Sequence, residues 1–237
     1  MPLSGCGKLT AIDVPGSVTI IGRCAFENCI RLADVKLSEG LESIGLYAFD
    51  GCEKLTTITI PSSMEKIGEY AFYNCSRLNT VKIPNSVETI GRYAFSGCSR
   101  LTSIELPNSV LSIEGYAFKD CIRLAEIKLP SSLEKIGYSA FYGCAKLASI
   151  TIPDGMEAID NNAFASCTGL VTISIPNSVE SIGQSAFEGC GKLATISIPN
   201  SVESIGQSAF QNCTSLTSIT LPNSITAINA HTFQGCI

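Results

Sequence analysis

The sequence predicts a repeat solenoid, one coil wound from ten copies of a 23-residue unit. Three columns of recurring residues carry that prediction. Cys6, Cys29, Cys52, Cys75, Cys98, Cys121, Cys144, Cys167, Cys190, Cys213 and Cys236 stand 23 residues apart. All ten phenylalanines share one column, from Phe26 and Phe49 to Phe210 and Phe233. Nine of the ten prolines share another, with Ser38 as the one departure. A unit this small cannot bury its own apolar face, so the copies must stack. Residues 1–237 therefore read as a single array, with ten units filling 230 of 237 residues and partial units at both ends.

Each unit opens with a strand. In the unit that begins at Cys98, Ile104 and Leu106 alternate with Ser103 and Glu105, the period-two pattern of a strand with one face buried. Pro107 ends it, because proline cannot donate to a ladder hydrogen bond. Asn108 and Ser109 supply turn chemistry. A second apolar pair follows in a Val-x-x-Ile-Gly pattern, as at Val87, Ile90 and Gly91. That glycine recurs at Gly22, Gly45, Gly68, Gly137, Gly183 and Gly206, and is replaced by Glu114, Asp160 and Asn229. Gly, Asn and Asp tolerate positive φ, so a left-handed turn is expected here, with Gly115 taking it beside Glu114. Each unit closes on Ala-Phe-x-Gly/Asn-Cys, as at Ala94–Cys98, which leaves room for a turn of helix or 3₁₀. Eight columns per unit are core: Cys, Leu, two Ile/Leu/Val, Val/Leu/Met, Ile, Ala and Phe.

Composition narrows the function. The chain is 45% hydrophobic and 16% charged, which excludes compositional disorder. No apolar run reaches the ~18 residues of a membrane span, and no basic-then-apolar leader opens the chain. A lone histidine, His231, argues against most His-based catalysis and metal binding. A net charge of −5 argues against nucleic acid. Nucleophile elbow, phosphate loop, dinucleotide fingerprint and zinc-protease helix are all missing, so no enzyme and no cofactor are expected.

The run Leu-x-x-Ile-x-Ile-Pro-x-Ser-Val-x-x-Ile-Gly-x-x-Ala-Phe-x-x-Cys resembles the BspA-like (Treponema pallidum-type) leucine-rich repeat family, over essentially the whole chain. Ser86, Ser109 and Gly155 stand where the general leucine-rich repeat has its asparagine ladder. The resemblance implies a curved, right-handed coil with a parallel sheet on its concave face and short strands, turns or 3₁₀ segments on the convex side. It also implies surface-exposed or secreted proteins that act in adhesion and host-protein binding, and it carries no catalytic residues.

The twelve cysteines read as disulfides, metal ligands or core. Neighbouring strands ~4.7–4.9 Å apart bring ladder cysteines within the Cα range of a bridge. Their parallel Cβ vectors keep the Cβ atoms beyond the ~3.8 Å mean of a disulfide, which favours free buried thiols. No C-x-x-C pair supports zinc. Cys24 lies off the ladder, in the column of Tyr47, Tyr70, Tyr93 and Tyr116, and is the best candidate for a reactive thiol. That tyrosine column reads as a packing ladder or an adhesive patch.

The two outward strand columns form the expected binding face. Its charged and mixed half comprises Asp34, Thr57, Thr80, Ser103 and Glu126 in one column and Lys36, Thr59, Lys82, Glu105 and Lys128 in the other. From Ser149 onward both columns are Ser and Thr. A basic column (Lys8, Arg31, Lys54, Arg77, Arg100, Arg123, Lys146, Lys192) reads either as a solvated face or as an attractor for a sulfated glycan or other polyanion. An acidic column runs from Glu42 to Glu203.

The expected function is a non-enzymatic protein- or glycan-binding module of an adhesin-like cell-surface protein. The alternative is a structural spacer or consensus-type array, suggested by the identity of residues 177–187 and 200–210. The chain opens mid-unit at Met1, Pro2 and Leu3 and stops on Cys236 and Ile237, with no polar cap at either end. A fragment of a longer protein, or end-to-end or homodimer contact, is the corresponding expectation.

Overall fold

A computed structural model describes residues 5–237; the opening Met1, Pro2 and Leu3 lie outside it. The described chain is a parallel β-solenoid of about nine turns without a helix. Ten longer strands, Ala11–Val14, Asp34–Leu37, Thr57–Thr59, Thr80–Lys82, Ser103–Glu105, Glu126–Lys128, Ser149–Thr151, Thr172–Ser174, Thr195–Ser197 and Ser218–Thr220, alternate with two-residue strands such as Ile20–Ile21, Ser43–Ile44 and Ser204–Ile205. Strands of each type pair only with their own kind, in parallel and one repeat out: Thr57 with Thr80, Ser103 with Glu126, Ser112 with Lys135.

Between the strands each turn is closed as the sequence predicts. Val87 N–H donates to Pro84 O at 3.2 Å and Val110 N–H to Pro107 O at 3.0 Å, so each proline starts a β-turn. Serine replaces the asparagine ladder in function as well as in place. Ser86 Oγ donates to Met64 O and Ser109 Oγ to Val87 O, both 2.7 Å, tying the turn to the one before it.

The third side of the coil is neither strand nor helix. The N–H groups of Cys24, Phe26 and Asn28 donate to Leu46, Ala48 and Asp50 of the next turn at 2.9, 2.8 and 2.7 Å. The alternate N–H groups of Ala25, Glu27 and Cys29 close back on Gly22, Cys24 and Phe26 at 3.2, 3.3 and 3.1 Å. Every backbone donor in this stretch is thereby used, half within the turn and half between turns. The one-turn helix for which the sequence leaves room does not form.

Positive φ runs the length of two columns and recurs at two glycines of a third, and none of these is the Ile-Gly column. Gly22, Gly45, Gly68, Gly91, Gly137, Gly183, Gly206, Glu114, Asp160, Asn229 and Gly115 all lie outside the left-handed region. From Gly45 onward those glycines serve close approach instead, whereas Gly22 has open space beside it: a Cβ on Gly45 would stand 2.7 Å from Arg23 N, and one on Gly183 2.7 Å from Asn161 N. The left-handed residues are the whole tyrosine column, from Cys24 (φ 55°) through Tyr70 (φ 54°) to His231 (φ 59°), the place before each cysteine, as at Asn74, Gly97 and Asp120, and two glycines of the turns at the proline column, Gly40 (φ 97°) and Gly155 (φ 96°).

One core runs the length of the coil, from Val14 to Leu216. The phenylalanines stack with centroids 5.1–5.8 Å apart and interplanar angles of 2–13°. Phe49 to Phe210 are fully buried. All twelve cysteines are free thiols, and nine of them are buried. Each buried ladder thiol from Cys52 to Cys213 donates to a phenylalanine carbonyl of the preceding turn, as Cys98 Sγ does to Phe72 O at 3.3 Å. A cysteine here is a small apolar filler with one donor already committed.

Candidate functional site

Alternation along the longer strands decides what the sheet presents. In Thr57–Thr59, Thr80–Lys82, Ser103–Glu105 and Glu126–Lys128 the middle residue is buried and the two flanking residues are exposed. Asp34 and Lys36 are exposed in the same way around buried Val35. All ten candidate residues therefore lie on one solvent-facing side of the coil, on strands that hydrogen-bond in register two by two: Asp34 with Ala11, Thr57 with Thr80, Ser103 with Glu126.

Charges on this face alternate along a column instead of repeating. Asp13 stands beside Lys36, and Glu105 beside Lys128. Lys36 Nζ lies 3.2 Å from Asp13 Oδ2, with both side chains well exposed, so the pair contributes no more than ~1 kcal/mol.

Shallow grooves follow the strands. One of about 520 Å³ is lined by Thr80, Lys82, Ser103 and Glu105. Another of about 760 Å³ lies between Lys128, Ser149, Thr151 and Ser174 and the ledge of Pro130, Pro153 and Pro176. These volumes suit small ligands, but the polar groups repeat evenly along the sheet and do not converge on one point.

The other surface columns are solvated. The basic column from Lys8 to Lys192 and the acidic column from Glu42 to Glu203 are exposed along their length. Among the described residues no three His, Cys, Asp or Glu side chains are placed to hold a metal ion, and no helix is long and apolar enough to cross a membrane.

Burial pushes Cys52 up to about 12 and Cys75 well above the ordinary thiol range. Cys24, the expected reactive thiol, is one of three that are not buried, and it is raised as well, first by desolvation and next by Glu27 beside it, which lowers its share of thiolate.

The tyrosine column does form a ladder. Tyr47, Tyr70, Tyr93 and Tyr116 stack at 4.4, 4.5 and 4.4 Å. The sequence reading missed the residues that complete it. Tyr73 sits edge-on to Tyr70 at 5.4 Å and Tyr138 edge-on to Tyr116 at 4.8 Å. The Arg92 guanidinium lies 5.3–5.9 Å from the rings of Tyr93, Tyr116 and Tyr138. Lys119 reaches over Tyr116 and Tyr142. These residues come from columns one place before and three places after the ladder, so the signal was that fixed spacing within the 23-residue unit.

Comparison with known proteins places this architecture. The family model described as BspA type leucine rich repeat region matches residues 3–124 and 111–237, in six copies. Among solved structures, a leucine-rich repeat protein from Bacteroides ovatus is 33% identical, with a TM-score of 0.58, over 99% of this chain and 78% of that one. A leucine rich cell surface protein from Faecalibacterium prausnitzii is 28% identical, with a TM-score of 0.55, over 96% and 77%. A leucine rich repeat protein of T. pallidum is 27% identical, with a TM-score of 0.55, over 90% and 80%. No curated protein matches.

Proposed function

This chain belongs to the BspA-type leucine-rich repeat family, and from that premise we propose that it is a non-enzymatic binding module of a cell-surface protein, engaging a protein or glycan ligand through its longer-strand sheet. The observation that carries this reading is the unbroken exposure of two outward columns on rigid parallel strands, charged over Asp34 to Lys128 and hydroxyl-rich beyond. Such a surface is preorganised: each longer strand is hydrogen-bonded in register to a neighbour, so little ordering entropy opposes binding. Evenly spaced polar groups suit an extended partner. The cell-surface placement is supported by the relative from Faecalibacterium prausnitzii, which carries that description. The adhesive role is this reading's own extension.

The test is binding of the intact array to immobilised extracellular-matrix proteins and to a glycan panel, compared with a Lys36→Glu, Lys82→Glu, Lys128→Glu variant. Binding to one class that the variant loses, with unchanged stability, supports the proposal. Binding that survives the triple reversal moves the site elsewhere, and the spacer reading gains if nothing in either panel binds.

A further inference from the structure

The turn side of the coil gathers the seven tyrosines of the chain around one stack. The stacked rings stand 4.4–4.5 Å apart, nearer than the phenylalanines of the core. All seven are half-buried. Two phenols held this close are arranged for a reaction that isolated tyrosines undergo only on collision. We propose that Tyr47 and Tyr70, whose ring centroids lie 4.4 Å apart with the planes tilted by 32°, form a dityrosine cross-linking site, coupled by hydrogen peroxide through a peroxidase.

The step balances as follows. Each phenol gives up one hydrogen atom from its O–H, leaving a phenoxyl radical. The two radicals join by a bond between ring carbons ortho to oxygen. Each of those carbons releases its proton and each oxygen regains one, so both phenols are restored. The two hydrogen atoms removed reduce one hydrogen peroxide to two waters.

Cations select one pair among the three that stack. A cation over a ring opposes removal of an electron from it. Arg92 lies 5.5 Å from the centroid of Tyr93 and 5.9 Å from that of Tyr116, and Lys119 lies 5.8 Å from Tyr116. Among the described residues no cation lies over the ring of Tyr47 or Tyr70, although the Arg92 charge still acts on Tyr70 from the side of Tyr93. Tyr73 approaches Tyr70 only at 5.4 Å and edge-on. A radical on either member of the Tyr47–Tyr70 pair therefore meets its partner long before a second chain at micromolar concentration. The product would join successive turns through a 23-residue loop. That is the constraint on the unfolded chain that a disulfide supplies elsewhere and that the free, carbonyl-bonded thiols of this protein do not.

The test is treatment of the intact chain with hydrogen peroxide and a plant peroxidase, read by dityrosine fluorescence, intact mass and cross-linked peptides. The expected product is monomeric, lighter by two hydrogen atoms, with Tyr47 joined to Tyr70 as the main linked peptide. Tyr47→Phe and Tyr70→Phe keep the rings and the stack and should each abolish that peptide, whereas Tyr142→Phe should leave it unchanged. Cys24 precedes Tyr47 in the column and its thiol can repair phenoxyl radicals, so Cys24→Ser should give an equal or greater yield. Links spread evenly over the three stacked pairs, links mainly between chains, or full monomeric yield in Tyr47→Phe would each overturn the proposal.

Discussion

Replacing Asp50 by asparagine should stabilise the protein near neutral pH and leave its stability unchanged in acid. Asp50 lies in the turn segment between Ala48 and Cys52, half-buried, with its backbone carbonyl accepting from Asn28 N–H at 2.7 Å. Desolvation, and then the charge of Glu27, push its carboxyl up from 3.8 to about 6. A raised carboxyl means that the folded chain holds the proton more tightly than the unfolded chain. The folded state is favoured in full below the unfolded value of 3.8, loses that advantage as pH rises to about 6, and above 6 carries the charge at its full cost. A difference of about two units corresponds to ~3 kcal/mol at most. The side chain is still partly exposed, and screening reduces this to ~1 kcal/mol. Asparagine keeps the shape and removes the charge. Urea unfolding of the two proteins should therefore coincide at about pH 3.5 and separate by ~1 kcal/mol at about pH 7.5, with the variant more stable. A separation that does not change with pH, or a variant less stable at the higher pH, would refute the reasoning.

Two glycines should fail for different reasons. Gly189→Ala has room, since its Cβ would meet nothing nearer than 3.7 Å, but φ is +72°, so it should cost ~1–2 kcal/mol in a thermal or urea melt. Gly91→Ala has ordinary φ but would set its Cβ 2.8 Å from Gly68 C and 2.9 Å from Glu69 N, so it should cost ~1–3 kcal/mol or more by forcing the turns apart. Alkylation of the native protein followed by mass spectrometry should modify at most Cys6, Cys24 and Cys236, and the nine buried thiols only after denaturation. Lys82→Glu with Lys128→Glu should change stability by less than ~0.5 kcal/mol, because both side chains are exposed on the sheet.

How far the sequence could be read depended on whether a column had one physical explanation or two. A buried phenylalanine repeated every 23 residues has one: it must face the common interior, and it does. Alternation at Ser103, Ile104 and Glu105 has one as well, and it located the exposed face. Glycine has two, left-handed backbone and absent Cβ, and the letter does not distinguish them. In the Ile-Gly column the second applies, because the preceding turn lies against it. The replacement by Glu114 was the visible sign, since glutamate suits a left-handed turn poorly. The true left-handed places were partly legible where Gly97 alternates with Asn74 and Asp120, residues that tolerate that conformation. They were illegible at Tyr47, Tyr70, Tyr93 and Tyr116, because a bulky side chain at positive φ contradicts its own preference. What overrides that preference is tertiary. The N–H of Tyr70 donates to Arg92 O at 2.9 Å and that of Tyr116 to Tyr138 O at 3.0 Å, and the rings gain stacking partners on both sides. The strain at one residue is thus offset by neighbours 23 positions away, and no local reading of a single unit contains them. The same reasoning bounds the binding face. Its positions follow from a local alternation, whereas its partner depends on chemistry supplied from outside the chain, which is why the decisive measurement there is capture by a defined panel.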